Sequence, residues 1–191
     1  MDNPWQKLSA EIVYDSPWIK VHHEKVLTPG KTNGIYGWVE FKHIAVGCIP
    51  IDVEGNTVLV GQFRYPNKEY SWEIPEGGAK KSEAPLDGMK RELQEETGLR
   101  AAEYTLIQEL RLSNSATDEI AYLYLATGLT EAQGTPDDTE ELQLKKVHVR
   151  EAIDMVLSGI ITDAMSVAAL LKLNHLLKTN AVIPNTPFGN E

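Results

Sequence analysis

Three carboxylates, Glu92, Glu95 and Glu96, stand at relative positions 0, 3 and 4 within GGAKKSEAPLDGMKRELQEETGL, residues 77–99. On a helix this spacing puts all three on one face. Like charges so arranged repel, by roughly 0.2–0.5 kcal/mol per pair even at an exposed surface. A chain that keeps them together therefore points to a bound cation. The donor set is all oxygen, which suits Mg²⁺ or Mn²⁺; zinc would ask for histidine or cysteine.

The surrounding residues predict the helix that carries these acids. Ser82 is the expected N-cap, Pro85 fits the first turn, and Gly98 is the expected terminator. Leu86, Met89 and Leu93 recur at 0, 3 and 7, a stripe that should face the core. At about 100° per residue the carboxylates lie a quarter turn from that stripe, along the edge of a cleft. Gly88 falls on the carboxylate side, where glycine costs about 1 kcal/mol relative to alanine. Room for a metal, a water or a neighbouring loop would account for it.

The 191 residues suffice for one domain of α/β or α+β type with a proper core. A net charge of −10 argues against a general nucleic-acid or anionic-membrane binder. The single cysteine, Cys48, lies within the apolar run IAVGCIPI and reads as a buried structural thiol. No run is long or apolar enough for a signal peptide or membrane span, so a cytoplasmic protein is expected.

Strands are predicted at 11–14, 18–27 and 36–42, with a turn at 28–34 making a hairpin of the last two. His22 and His23 point to opposite faces of a strand and cannot share a metal. Trp5, Trp18 and Trp38 fall in this unit as packing residues, or as interface or base-stacking aromatics, with Trp18 the candidate for substrate. Further strands are expected at 43–52, 57–65, 104–113, 119–129 and from Leu142. Two amphipathic helices should follow at 150–159 and 162–178, the second capped by Thr162 or Asp163.

Gly77, Glu83, Arg91, Glu92, Leu93, Glu95, Glu96, Gly98 and Leu99 match every specified position of the Nudix box, and the chain resembles the Nudix hydrolases. VLVGQFRYP followed by SWEIPEGG resembles the branch acting on ADP-ribose and nucleoside diphosphate sugars. The resemblance implies a Nudix α/β/α sandwich with a mixed β-sheet. Residues 1–42 would be an N-terminal antiparallel β extension used for homodimerisation, and 43–191 the hydrolase domain.

It also implies roles. Glu92 and Glu96 would be direct ligands of Mg²⁺ (or Mn²⁺), with Glu95 a ligand or a partner through water. The backbone carbonyl of Glu76, where relatives often carry alanine, would be a further ligand. Arg64 would contact substrate phosphates, and Glu73 would shape the pocket. Arg91 belongs to the catalytic set, its expected part being an ion pair with Glu83 that braces loop against helix. An acidic loop at 137–141 would supply the general base or another metal ligand: Glu140 first, Glu141 and Asp138 as alternates. The chain departs from ADP-ribose pyrophosphatases at residues 113–119, SNSATDE, where a proline–glycine pair is common. That departure favours a broader range of nucleoside diphosphate sugars over ADP-ribose alone. A nucleotide-binding module without turnover would have been expected to lose box acids.

Overall fold

The structure is a computed structural model that describes residues 2–134, 141–179 and 186–189. Strands β1 (Gln6–Asp15), β2 (Ile19–Leu27) and β3 (Asn33–Phe41) form an antiparallel meander. Then come β4 (His43–Ile51), β5 (Asn56–Arg64), β6 (Glu69–Glu73), β7 (Glu76–Lys80) and helix α1 (Pro85–Thr97). The remaining elements are β8 (Leu99–Arg111), β9 (Ile120–Glu131), β10 (Gln143–His148), α2 (Val149–Leu157) and α3 (Ala164–Lys178).

The centre is the four-stranded sheet β7-β4-β9-β8, in which β4 and β9 run parallel and the other neighbours antiparallel. A second sheet, β10-β5-β6, is antiparallel throughout. The alternation of side chains along a strand divides the core in two. Val46, Cys48, Tyr124 and Ala126 face α1 and pack with its Met89 and Leu93. Ile49, Ile51, Leu123 and Leu125 face the other way, onto Ala169, Leu170 and Leu173 of α3 and Ile153 of α2. The result is the α/β/α sandwich with an antiparallel N-terminal extension. Among the described residues no helix is long and apolar enough to cross a membrane.

One expectation needs correction. The α1 N-cap is Ala84, not Ser82, and no side chain caps the helix there. The acid next to Ser82 does the local work: Glu83 Oε1 accepts the Lys80 N–H at 2.7 Å and closes the turn. Gly98 does end the helix, in the left-handed conformation at φ 67° with its N–H on the Gln94 carbonyl. Strands β6 and β7 add to the expected set, although glycine-rich Glu76–Lys80 has little β propensity of its own. Pairing with β4 imposes the conformation, Val46 opposite Gly77 and Ala45 opposite Gly78.

The N-terminal sheet is fastened to the body at the corner between β8 and β9. Val39 N–H donates to the Ala116 carbonyl (2.9 Å) and Phe41 N–H to Asp118 Oδ1 (2.7 Å). The Tyr36 hydroxyl donates to the Ser115 carbonyl at 2.7 Å. The departed corner is thus a docking point for β3.

Candidate active site

Met89 and Leu93 are fully buried and fix the roll of α1 over β4. Gly88 lets it come close: a methyl there would overlap the Ala79 side chain and lie 2.9 Å from its Cα. The neighbouring strand β7 is therefore the reason for that glycine. So held, the helix presents its acids to the β7 backbone. Glu92 Oε1 accepts the Gly78 N–H at 3.2 Å, and Glu96 Oε2 accepts the Glu76 N–H at 3.0 Å. Between them Gly77 carries no side chain, and the Glu92 carboxyl group packs where its Cβ would lie.

Arg91 gathers the rest. Its Nη1 donates to Glu92 Oε1 and Glu95 Oε2, both at 2.8 Å, and its Nη2 to the Gly78 carbonyl at 3.0 Å. The predicted pairing with Glu83 is present as the longest of these contacts, 3.5 Å. Burial raises the Glu92 carboxyl above the ordinary range, aided by the Glu95 charge and opposed by Arg91 and the Gly78 N–H. Glu96 is 5% exposed. Its charge, added to burial, pushes the Cys48 thiol up, which makes Cys48 an inert packing residue.

Glu92, Glu95 and Glu96 are hard, all-oxygen donors held beside the main chain of Glu76 and Gly78. These residues fit a divalent cation of the Mg²⁺ type.

A second group of charges lies at the end of β5. Arg64 lines a cleft of about 450 Å³ together with Ser71, Glu73, Glu76, Glu119 and Asp163. Its Nε donates to Glu73 Oε1 at 2.9 Å, its Nη2 pairs closely with Glu73 Oε2, and the same Nη2 reaches Glu76 Oε1 at 3.2 Å. Glu73 is 2% exposed. The predicted pair Arg64 and Glu73 are thus brought together, with each other's charge as partner. Burial drives the Glu76 carboxyl well above the usual range, reinforced by Asp163 and Glu73 and only partly offset by Arg64.

Asp163 and Glu119 were not singled out as site residues. Asp163 was visible only as a helix cap, a role it fills by accepting the Ser166 N–H at 2.7 Å. Nothing in the spacing ties it to Glu73 or Glu76. Trp18 is 68% exposed on the N-terminal sheet and does not line this cleft. Glu140 and Asp138 lie outside the described residues; Glu141 is described and exposed.

Comparison with known proteins agrees with this architecture. Residues 41–162 match the NUDIX domain, and residues 5–39 match the nucleoside diphosphate sugar hydrolase N-terminal domain. The chain belongs to the Nudix family and is by class a pyrophosphohydrolase. It is similar to the ADP-ribose pyrophosphatase of Mycobacterium tuberculosis, 28% identical over 100% of this chain and 92% of the relative. The ADP-ribose pyrophosphatase of Bacillus subtilis is 34% identical over 70% of this chain and 75% of its own length. A solved ADP compounds hydrolase shares the fold with a TM-score of 0.83 at 21% identity, over 93% of this chain and 96% of that one.

Proposed function

We propose that this enzyme hydrolyses the pyrophosphate bond of nucleoside diphosphate sugars, releasing a nucleoside monophosphate and a sugar phosphate, with Mg²⁺ or Mn²⁺ held by Glu92, Glu96, Glu95 and the Glu76 carbonyl. The observation that carries the reading is the grip of Glu92 and Glu96 on the Glu76–Gly78 backbone, with the Glu92 carboxyl packed against Gly77, next to an arginine-bearing cleft. Bound divalent cations would supply neutralisation of the diphosphate and a water of lowered pKa.

The chain's own residues do the rest. Arg91 holds Glu92 and Glu95 in register with β7, so that the acids are positioned before substrate arrives. Arg64 binds a phosphate oxygen, exchanging its Glu76 contact for the ligand while Glu73 keeps the guanidinium oriented. Glu140 takes the proton of the attacking water, a contribution of about 10²–10⁴-fold.

Residues 1–42 serve as a dimerisation unit and 43–191 as the hydrolase domain. All ten residues of β1 are exposed, Leu8, Ile12, Val13 and Tyr14 among them, which supports a homodimer formed through this sheet. Trp18, exposed on the same sheet, would meet a substrate base across such an interface.

The names of the relatives favour a second reading, a dedicated ADP-ribose pyrophosphatase. A product assay with Mg²⁺ on ADP-ribose, GDP-mannose, UDP-glucose and ADP-glucose decides. Comparable kcat/KM across the panel supports the broad enzyme. A preference of about 10²-fold or more for ADP-ribose, worth about 2.7 kcal/mol of differential transition-state binding, supports the dedicated one.

A further inference from the structure

We infer that Glu73, Glu76 and Asp163 form a second divalent-cation site, separate from the box carboxylates on α1. One oxygen from each residue lies within 4.8 Å of the others. Ligand oxygens on opposite sides of an ion stand at most two metal–oxygen distances apart, about 4.2 Å for Mg²⁺ and about 4.6–5.2 Å for Ca²⁺. The observed spread takes an ion of the larger size as it stands, and Mg²⁺ after a small contraction.

The acids alone would not make a site, because Arg64 is already among them. What points to a ligand is the part Arg64 leaves unmet. Its Nε and Nη2 are committed to Glu73, and Nη2 also to Glu76 Oε1. Glu76 Oε2 is buried and accepts no hydrogen bond from a donor group, on a side chain only 10% exposed whose other contact is the like-charged Asp163 carboxyl. A buried carboxylate oxygen without a donor is among the most costly groups a protein can keep. Glu76 meets Asp163, whose Oδ2 caps α3 by accepting the Ser166 N–H and whose carboxylate belongs to the cluster. Among the residues lining the cleft, one guanidinium faces four carboxylates, Glu73, Glu76, Glu119 and Asp163. A divalent cation would restore that balance.

The site also supplies a reason for the side chain at position 76. A backbone carbonyl ligand is served by any residue there, alanine included. A glutamate there can hold the box ion with its main chain and a second ion with its carboxylate, which an alanine cannot do. Occupation would relieve Arg64 of one of its two acceptors and leave it freer for an incoming anion. The inference concerns ion binding and does not depend on which substrate is cleaved.

The test is Mn²⁺ binding to the full-length chain, followed by electron paramagnetic resonance and calorimetry, for the wild type, Asp163→Asn, Glu76→Gln and Glu96→Gln. Asparagine is as good an N-cap as aspartate, so Asp163→Asn keeps the start of α3; Glu76→Gln does not touch that cap and serves as the second variant. Both should bind one Mn²⁺ fewer per chain than the wild type, with circular dichroism unchanged, and Ca²⁺ should compete for the ion they lose. Glu96→Gln should lose a different ion and keep the one Ca²⁺ displaces. Wild-type stoichiometry and affinity in both Asp163→Asn and Glu76→Gln would overturn the second site. Full Mn²⁺ retention by Glu96→Gln would instead overturn the box assignment alone.

Discussion

Two arginines in this molecule each stand among glutamates, and they are partnered in opposite ways. Around Arg91 two of the three acids have more than the arginine to lean on. Glu92 takes the Gly78 N–H, Glu83 takes the Lys80 N–H, and the guanidinium itself reaches a backbone carbonyl. Around Arg64 the acids outnumber their donors, and Glu76 is left with a buried oxygen that no donor reaches. The first arrangement is complete as a scaffold. The second is complete only when something arrives.

The largest effect should come from the scaffolded side. Glu96→Gln is expected to lower kcat by about 10³-fold, some 4 kcal/mol of transition-state stabilisation, while circular dichroism stays as in the wild type. Retention of kcat within tenfold would break the assignment of Glu96 to the reacting centre.

Next in size is a matched pair that separates the two arginines. Arg91→Lys cannot span Glu92, Glu95 and the Gly78 carbonyl at once, so kcat should fall by about 10²-fold through misplaced acids. Arg64→Lys should instead raise KM by about tenfold with kcat little changed, because a point charge replaces a fork that grips a phosphate. Equal losses of kcat in both variants would erase the contrast between scaffold and substrate contact.

A smaller effect tests the surplus of acid directly. In the presence of EDTA, Glu76→Gln should melt higher than the wild type, by about 1 kcal/mol. The amide keeps an acceptor for Arg64 and gains donors for Asp163. A lower melting temperature would mean that the negative charge on Glu76 is already balanced without a ligand.

The smallest effect belongs to an acid outside both groups. Burial alone would raise the Asp52 carboxyl, but bonds from Lys146, the Asn56 main chain and side chain, and the Glu54 N–H bring it down to about 2. A folded value below the unfolded one stabilises above the unfolded pKa of about 3.9, and that stability drains away as pH falls toward 2. Asp52→Asn should therefore be less stable than the wild type at pH 7, with the gap closing between about pH 4 and pH 2 in urea titrations. A gap that persists unchanged at pH 2 would sink this account.

The same contrast explains what could be read from the sequence. The Arg91 group is written into one helix and its preceding strand, so the spacing of Glu92, Glu95 and Glu96 and the stripe of Met89 and Leu93 carried nearly all of it. Gly98 was legible for the same local reason. Ser82 was not the cap because Glu83, one residue on, made the competing turn with Lys80. The Arg64 group draws on β5, β6, β7 and the start of α3. Arg64 and Glu73 could be named from a resemblance, but their pairing and the arrival of Asp163 depend on how separate layers close over one another. Strand β7 was missed because its conformation comes from its neighbour β4 and not from its own residues.

The corner at Ser115, Ala116 and Asp118 turns the N-terminal sheet into a lever. Its four bonds to Tyr36, Val39 and Phe41 run along β3 from the body end to past its middle, and from Phe41 to Asn33 the strand spans about 27 Å. Tilting the root by about 10° would carry the far tip through roughly 5 Å over that span. The placement of whatever this sheet touches is therefore set by the length and shape of a short turn in the other part of the chain. Transplanting a corner of different length would re-aim the whole sheet without altering a single residue on it.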